Sequence, residues 1–221
     1  MDLGDTYLDV TYGSKPFTEY PLQLAREIVS RLDIEVGSLV LDMGCGRGEM
    51  AEAFKALGMQ VVGVDQASPT IANYSFDFHK SDLEKGLNLE SSQFDVVFSK
   101  SVLEHFYYPE KLLVEAHRVL KPGGKVVSMT PSWRHNFKMF FDDFSHRTPF
   151  TLNSLREIHQ YAGFSQVEAH YFIQLPKVWR SKFLEVLSRF LGRLIPDSAK
   201  VSKTLRFSRE VMLLGHGIKT K

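Results

Sequence analysis

With 221 residues, 43% of them hydrophobic and 24% charged, the chain has the apolar material for one sizeable core and the composition of a soluble globular protein. A single cysteine, Cys45, excludes an intrachain disulfide and the multi-cysteine zinc sites, and suits a reducing, cytoplasmic compartment. The net charge of +1 argues against a nucleic-acid binder, but it hides a skew, since Lys177 to Arg209 hold nine Lys/Arg against two acids.

The N-terminal stretch MDLGDTYLDV is acidic and lacks the basic and apolar segments of a secretion signal. No apolar run approaches the roughly 18 residues that span a bilayer. Pro21 to Leu32 predicts an amphipathic helix, with Leu22, Ala25, Ile28, Val29 and Leu32 on one face. Leu39 to Met43 predicts a strand. A helix over Glu49 to Leu57 follows, stopped by Gly58. Further strands are predicted over Gln60 to Val64, Phe76 to His79, Phe94 to Phe98 and Lys125 to Met129, with a helix over Glu110 to Leu120 ahead of the last. A helix over Thr151 to Tyr161, a strand over Gln166 to Tyr171 and a final strand over Arg209 to Gly215 complete the pattern.

The strands before Met129 are almost wholly apolar, as in a parallel sheet covered on both faces. Their alternation with helices predicts the α/β class: a doubly wound, Rossmann-like, seven-stranded and mostly parallel sheet with helices on both faces. The whole chain, 1–221, is expected to form a single domain, with a ligand-binding core over 36–130.

LDMGCGRGEM places Gly44, Gly46 and Gly48 at a strand-to-helix turn, where open α/β sheets bind ligands. The spacing is Gly-x-Gly-x-Gly, and Glu49 stands where a dinucleotide fingerprint has its last glycine. A carboxylate in that first helical turn opposes a bound pyrophosphate. No Gly-Lys-Ser/Thr follows, so the turn is not a P-loop either. Asp42 disfavours a phosphate and suits a ligand carrying an amino group and a sulfonium charge. Asp65 ends the second strand, where a carboxylate accepts hydrogen bonds from ribose hydroxyls.

LDMGCGRG, VVGVD, KSDLEKGL, FDVVFSKSVLEHF and LKPGGKVV together resemble the successive motifs of class I S-adenosylmethionine (SAM)-dependent methyltransferases. The resemblance covers Val36 to Met129 and points to the broad group of ubiquinone- and menaquinone-biosynthesis-type enzymes and many O-methyltransferases. It implies SAM as cofactor and S-adenosylhomocysteine as product. It implies that Gly44, Gly46 and Gly48 pass under the methionine and ribose portions and that Asp42 meets the amino group. Asp65 would hold the ribose hydroxyls, Gln66 would lie along the adenosine, and Asp82 with Leu83 would reach the adenine. Ser99 would line the methionine end. The segment between Asp65 and Asp82 is short for the family, which predicts a truncated helix there. Related quinone O-methyltransferases bind a divalent metal through Glu-x-x-Glu-His; here Glu104 and His105 are kept but Ser101 replaces the first acid, so no metal is expected.

Methyl transfer to oxygen calls for a base, and histidine titrates in the right range. His146, in FFDDFSHRTPFT, falls in a loop over 131–150 expected to overhang the strand ends as a lid. Its bland alternative is a helix-entry loop with a locally bonded histidine. His105, after the strand whose end faces the methyl group, is the second candidate, with packing or substrate contact as alternatives. Over 176–208 a basic amphipathic insertion is expected, with Trp179, Phe183, Leu184, Leu187, Phe190, Leu191 and Leu194 on one side of a helix. It could pack on the core, lie on an anionic membrane through 177–195, or meet RNA or an acidic partner. The expected enzyme acts on a small-molecule, lipid or glycan acceptor, in the cytoplasm or peripherally at the inner membrane face. A non-catalytic SAM-binding partner and an NAD(P)-dependent oxidoreductase are the rivals.

Overall fold

The computed structural model describes residues 3–13, 15–179, 181–193 and 210–220. Seven strands form one sheet in the order β3-β2-β1-β4-β5-β7-β6. They are β1 (Leu39–Met43), β2 (Gln60–Asp65), β3 (Asp77–Lys80), β4 (Phe94–Lys100), β5 (Leu120–Pro131), β6 (Phe164–Phe172) and β7 (Met212–Lys219). Only β7 runs against its neighbours, pairing antiparallel with both β5 and β6. The doubly wound architecture is therefore the one the apolar strand pattern predicts.

Seven α-helices accompany the sheet among the described residues: α1 (Leu3–Tyr12), α2 (Tyr20–Leu32), α3 (Glu49–Ala56), α4 (Pro109–Val119), α5 (Trp133–Asn136), α6 (Leu152–Tyr161) and α7 (Lys182–Arg193). Two apolar clusters flank the sheet. Leu112, Leu113 and Ala116 of α4 and Leu155 of α6 pack on one face, over Leu41, Val97 and Val126. Leu24 and Ile28 of α2 and Ala51 and Phe54 of α3 pack on the other, over Val40, Phe98 and Val127. Burying these side chains on both faces removes them from water and drives the layering.

The structure revises several sequence expectations. Between β2 and β3 there is no helix at all: residues 66–76 run as an irregular loop. Phe76 from that loop is buried against Gly63 and Gly48, whose missing side chains leave it room. The last strand, Met212–Lys219, runs past its predicted end at Gly215 and takes in Gly217 as well. Both glycines lie within β7, where Leu155 and Phe164 occupy the space a side chain would need. The N-terminal helix α1 was not predicted; Gly4, Thr6, Val10 and Thr11 give it low helical propensity.

The expected basic insertion divides in two. Trp179 lies before α7, not in it. Its indole donates to the Ile173 carbonyl at 2.7 Å and packs on Tyr20 and Phe172. In α7 itself, Phe183 and Phe190 are 72% and 58% exposed, and Leu184, Val186 and Leu187 are exposed as well. The basic continuation over 200–209, with Leu194, lies outside the described residues. No helix among the described residues is long and apolar enough to cross a membrane.

Candidate active site

A cavity of about 640 Å³ opens at the carboxyl ends of β1, β2 and β4. Its walls come from the glycine turn, from Asp65 and Gln66 after β2, from Asp82 and Leu83 after β3, and from Lys100 to His105 after β4. Of the expected cofactor residues, Asp42, Gly44, Gly46, Asp65, Gln66, Asp82 and Leu83 are brought together, as parallel strand ends do when their connections turn over one edge, while Gly48 and Ser99 do not line the cavity.

The turn is built by its backbone. Gly44, Gly46 and Gly48 all have positive φ, at 80°, 51° and 86°, where L side chains are strained. A Cβ on Gly44 would also overlap the Val102 side chain, whereas Gly46 faces open space as far as Leu8. The Gly44 and Cys45 amides donate to the Val64 carbonyl, at 2.8 and 3.1 Å. The Gly46 amide donates to Asp65 Oδ2 at 2.8 Å, and the Ala67 amide to Asp65 Oδ1 at 3.0 Å. Asp65 therefore pins the turn to the end of β2.

Asp42 is 2% exposed, and its Oδ2 has no hydrogen-bond partner among the described residues. Burial, and then the charge of Asp65, push its carboxyl up to about 7. A buried carboxylate oxygen without a donor calls for a cationic or N–H ligand. SAM carries such a group in its α-ammonium, hydroxyls for Asp65 and a shape that passes over Gly44 and Gly46. The residues present fit it.

Asp82 lines the cavity but also caps the 3-10 turn Leu83–Lys85, accepting from the Glu84 amide at 3.0 Å and pairing with Lys85 at 3.1 Å. Ser99 departs from its expected place. It is buried, outside the cavity wall, with its hydroxyl 3.5 Å from Ser128. Strand alternation turns it to the face opposite Lys100, which does line the cavity. Ser128 in turn donates to His159 Nε2, whose Nδ1 donates to the Leu155 carbonyl at 2.7 Å. That chain of bonds is interior and serves packing.

The two histidines exchange ranks. His105 lines the cavity; His146 does not. His146 stands behind it, ring to ring at 4.8 Å, with Nδ1 donating to the Phe140 carbonyl at 2.5 Å. The Ser145 hydroxyl donates to Asp143, so Ser145 Oγ accepts from His105 Nδ1 at 2.9 Å. This leaves Nε2 as the basic nitrogen of a neutral ring. Burial first, then His146, hold His105 down to about 4. Glu104, wholly buried, accepts from Thr130 at 3.0 Å through one oxygen, while the other has no partner among the described residues; burial raises it to about 7. Glu104, His105 and His146 bring ligand atoms within 4.8 Å of one another. The sequence expectation of no metal rests on Ser101; in the fold His146 approaches Glu104 and His105 from the loop.

That loop is tied to the segment after β4 by hydrogen bonds. The Arg147 and Thr148 amides donate to the Glu104 carbonyl at 2.7 and 3.0 Å, and Thr148 Oγ1 to the Phe106 carbonyl at 2.7 Å. Ser145 and Arg147 thereby reach the cavity. Sequence reasoning missed Tyr7, Leu8 and Tyr12, which α1 lays over the opening. Their spacing along one helical face was the available signal. It also missed Lys100, a lysine ending an otherwise apolar strand, whose ammonium is destabilised by burial and supported by Glu104, Glu49 and Asp42.

Residues 41–128 match the family model described as a methyltransferase domain. Over those residues the chain carries a methyltransferase domain. Over 103 residues this domain is 34% identical to the ubiquinone biosynthesis O-methyltransferase of Maricaulis maris, a match covering 42% of this chain and 41% of the relative. The corresponding protein of Aromatoleum aromaticum is 28% identical over 149 residues, covering 63% and 62%. The chain thus spans about two fifths to three fifths of the curated relatives it matches. Among solved structures, a chain from the complex of the Haloferax volcanii Trm112 methyltransferase activator with a methyltransferase has a TM-score of 0.75 at 18% identity. That match covers 100% of this chain and 99% of the other. A Haemonchus contortus phosphoethanolamine N-methyltransferase, solved with S-adenosylhomocysteine, has a TM-score of 0.66 at 20% identity, covering 99% of this chain and 61% of that one. Both structures share the fold of the methyltransferase domain.

Proposed function

We propose that the protein transfers a methyl group from SAM to a hydroxyl oxygen of a small-molecule acceptor. The observation that carries this is one cavity holding a glycine turn, an orphaned buried carboxylate on Asp42 and a histidine whose tautomer is set by Ser145 and Asp143. Bound SAM supplies an electrophilic methyl group on a sulfonium. Asp42 meets its ammonium, Asp65 its ribose hydroxyls, and Gln66, Asp82 and Leu83 border the adenosine. Lys100 supplies positive charge beside Asp42 and Glu104.

His105 Nε2 accepts the proton of the acceptor hydroxyl. The resulting imidazolium keeps its Nδ1–H on Ser145 and is stabilised through Asp143, whose carboxyl burial raises but the Ser145 hydroxyl and amide, with the two histidines, hold low overall. Tyr7 and Tyr12 close the side of the cavity above these groups and limit water. His146 packs its ring against that of His105 at a tilt of 58° and is a positioning residue.

The relatives named ubiquinone biosynthesis O-methyltransferase support an aromatic hydroxyl, and a lipid-tailed ring is the finer reading. The exposed apolar side chains of α7 support it too, beside Lys177, Arg180, Lys182, Arg189 and Arg193 in the sequence. A basic amphipathic helix with exposed phenylalanines suits an anionic lipid surface. The test is methyl transfer from labelled SAM to a catechol and to a prenylated hydroxyquinol. His105→Ala is expected to lower kcat roughly 10²- to 10⁴-fold while SAM binding persists. SAM binding without transfer to either acceptor would instead favour a non-catalytic SAM-binding partner.

A further inference from the structure

On the far side of the sheet's antiparallel end, Glu168 and His170 of β6 and His216 of β7 come together. His170 Nε2 lies 2.9 Å from Glu168 Oε2, and His216 Nε2 lies 3.9 Å from the same oxygen. The two imidazole rings are stacked with centroids 6.1 Å apart, and the three ligand atoms all lie within 4.8 Å of one another. None of the three lines the cavity. A tetrahedral ion with bonds of about 2.0–2.1 Å holds its ligand atoms about 3.3 Å apart, so small rotamer adjustments close the set.

A backbone irregularity builds this juxtaposition. Ser165 pairs with Ile218, yet Glu168 pairs with His216, so β6 carries one residue more than β7 between those pairs. Gln166 takes up the extra length at φ 48°, a left-handed conformation uncommon for a side-chain-bearing residue. Without the bulge Val167 would face His216, and the alternation of the strand would send Glu168 and His170 to the opposite face. Bulges of this kind re-aim side chains, and here the residues re-aimed are two metal-ligating types beside a third.

We propose that Glu168, His170 and His216 bind a divalent transition metal ion across β6 and β7. Two imidazoles and one carboxylate select zinc, cobalt or nickel over magnesium or calcium, which prefer all-oxygen sites. Three protein ligands leave at least one position for water, and the ion ties the edge strand β6 to its neighbour. The role is structural, remote from methyl transfer.

The experiment titrates untagged protein with cobalt(II) and follows visible absorption and thermal unfolding. Wild type is expected to saturate at about one ion per chain at this site and to unfold at higher temperature with the ion. His170→Ala, His216→Ala and Glu168→Gln are each expected to weaken binding roughly tenfold or more and to remove the thermal gain. Far-UV circular dichroism of the metal-free variants checks that they fold, and the isosteric Glu168→Gln keeps the test meaningful if an alanine variant does not. His146→Ala, which disturbs the other His/Glu cluster, is expected to leave this signal intact. Absence of the signal in wild type, its survival in all three variants, or its loss only in His146→Ala would overturn the proposal.

Discussion

At the residue scale, the proposed chemistry rests on Asp42 and His105 and on what surrounds them. Burial, with Asp65 adding to it, raises Asp42 from 3.8 to about 7, so between those values the folded chain holds a proton that the unfolded chain has released. Glu104 behaves alike, raised from 4.5 to about 7 by burial. For both groups the contribution to ligand-free stability is full below the unfolded value and is lost as pH rises through about 7. Binding of the cationic cofactor runs the opposite way, since it favours ionised Asp42. The thermal stabilisation by SAM is therefore expected to grow from about pH 6 to about pH 8, and Asp42→Asn to abolish that growth. A stabilisation independent of pH in the wild type would remove the ammonium from Asp42. Asp42 and Asp65 were both legible from position alone, as acids beside a glycine turn and ending a strand. The rank of the two histidines was not. It depends on Ser145 and Asp143, which sit about 40 residues beyond His105 and meet it only across the fold.

At the scale of elements, the turn between β1 and α3 depends on Gly44. Gly44→Ala meets two penalties, a left-handed backbone worth about 1–2 kcal/mol and an overlap with Val102. Pairing it with Val102→Ala removes the overlap but not the backbone strain. The double variant is expected to recover part of the thermal stability lost by Gly44→Ala, a comparison that calorimetry resolves. No recovery would mean that the contact with Val102 is not what excludes a side chain. The expected truncated helix before Asp82 is a loop throughout, and the reason is local: Phe76 needs the room that Gly48 and Gly63 leave. α1 escaped sequence reading for the converse reason. Its propensity is low, and it holds its place by tertiary contacts such as those of Tyr7 with His105, Phe144 and Asp143.

At the scale of the whole molecule, α7 presents its apolar side chains outward while Trp179, just before it, anchors the chain to the core. Co-sedimentation with liposomes checks the interfacial role. Binding is expected to vesicles rich in anionic lipid, to fall with added salt, and to be weakened by Phe183→Ser with Phe190→Ser while methylation of a water-soluble acceptor is kept. Equal binding by that variant would return the interfacial role to another surface.

The sequence by itself determined the sheet, its two-sided cover, the glycine turn and the acids beside it. Those features are written in short-range pattern, as apolar runs with a period, glycines where φ must be positive, and carboxylates at strand ends. Tertiary structure alone decided that His105 and not His146 faces the cavity, that α1 closes it with two tyrosines, that Ser99 turns inward, and that a bulge at Gln166 sets Glu168 and His170 opposite His216. Each of these rests on a contact or a register between distant segments. A one-residue shift in register changes the face on which a side chain appears, and no local pattern records it.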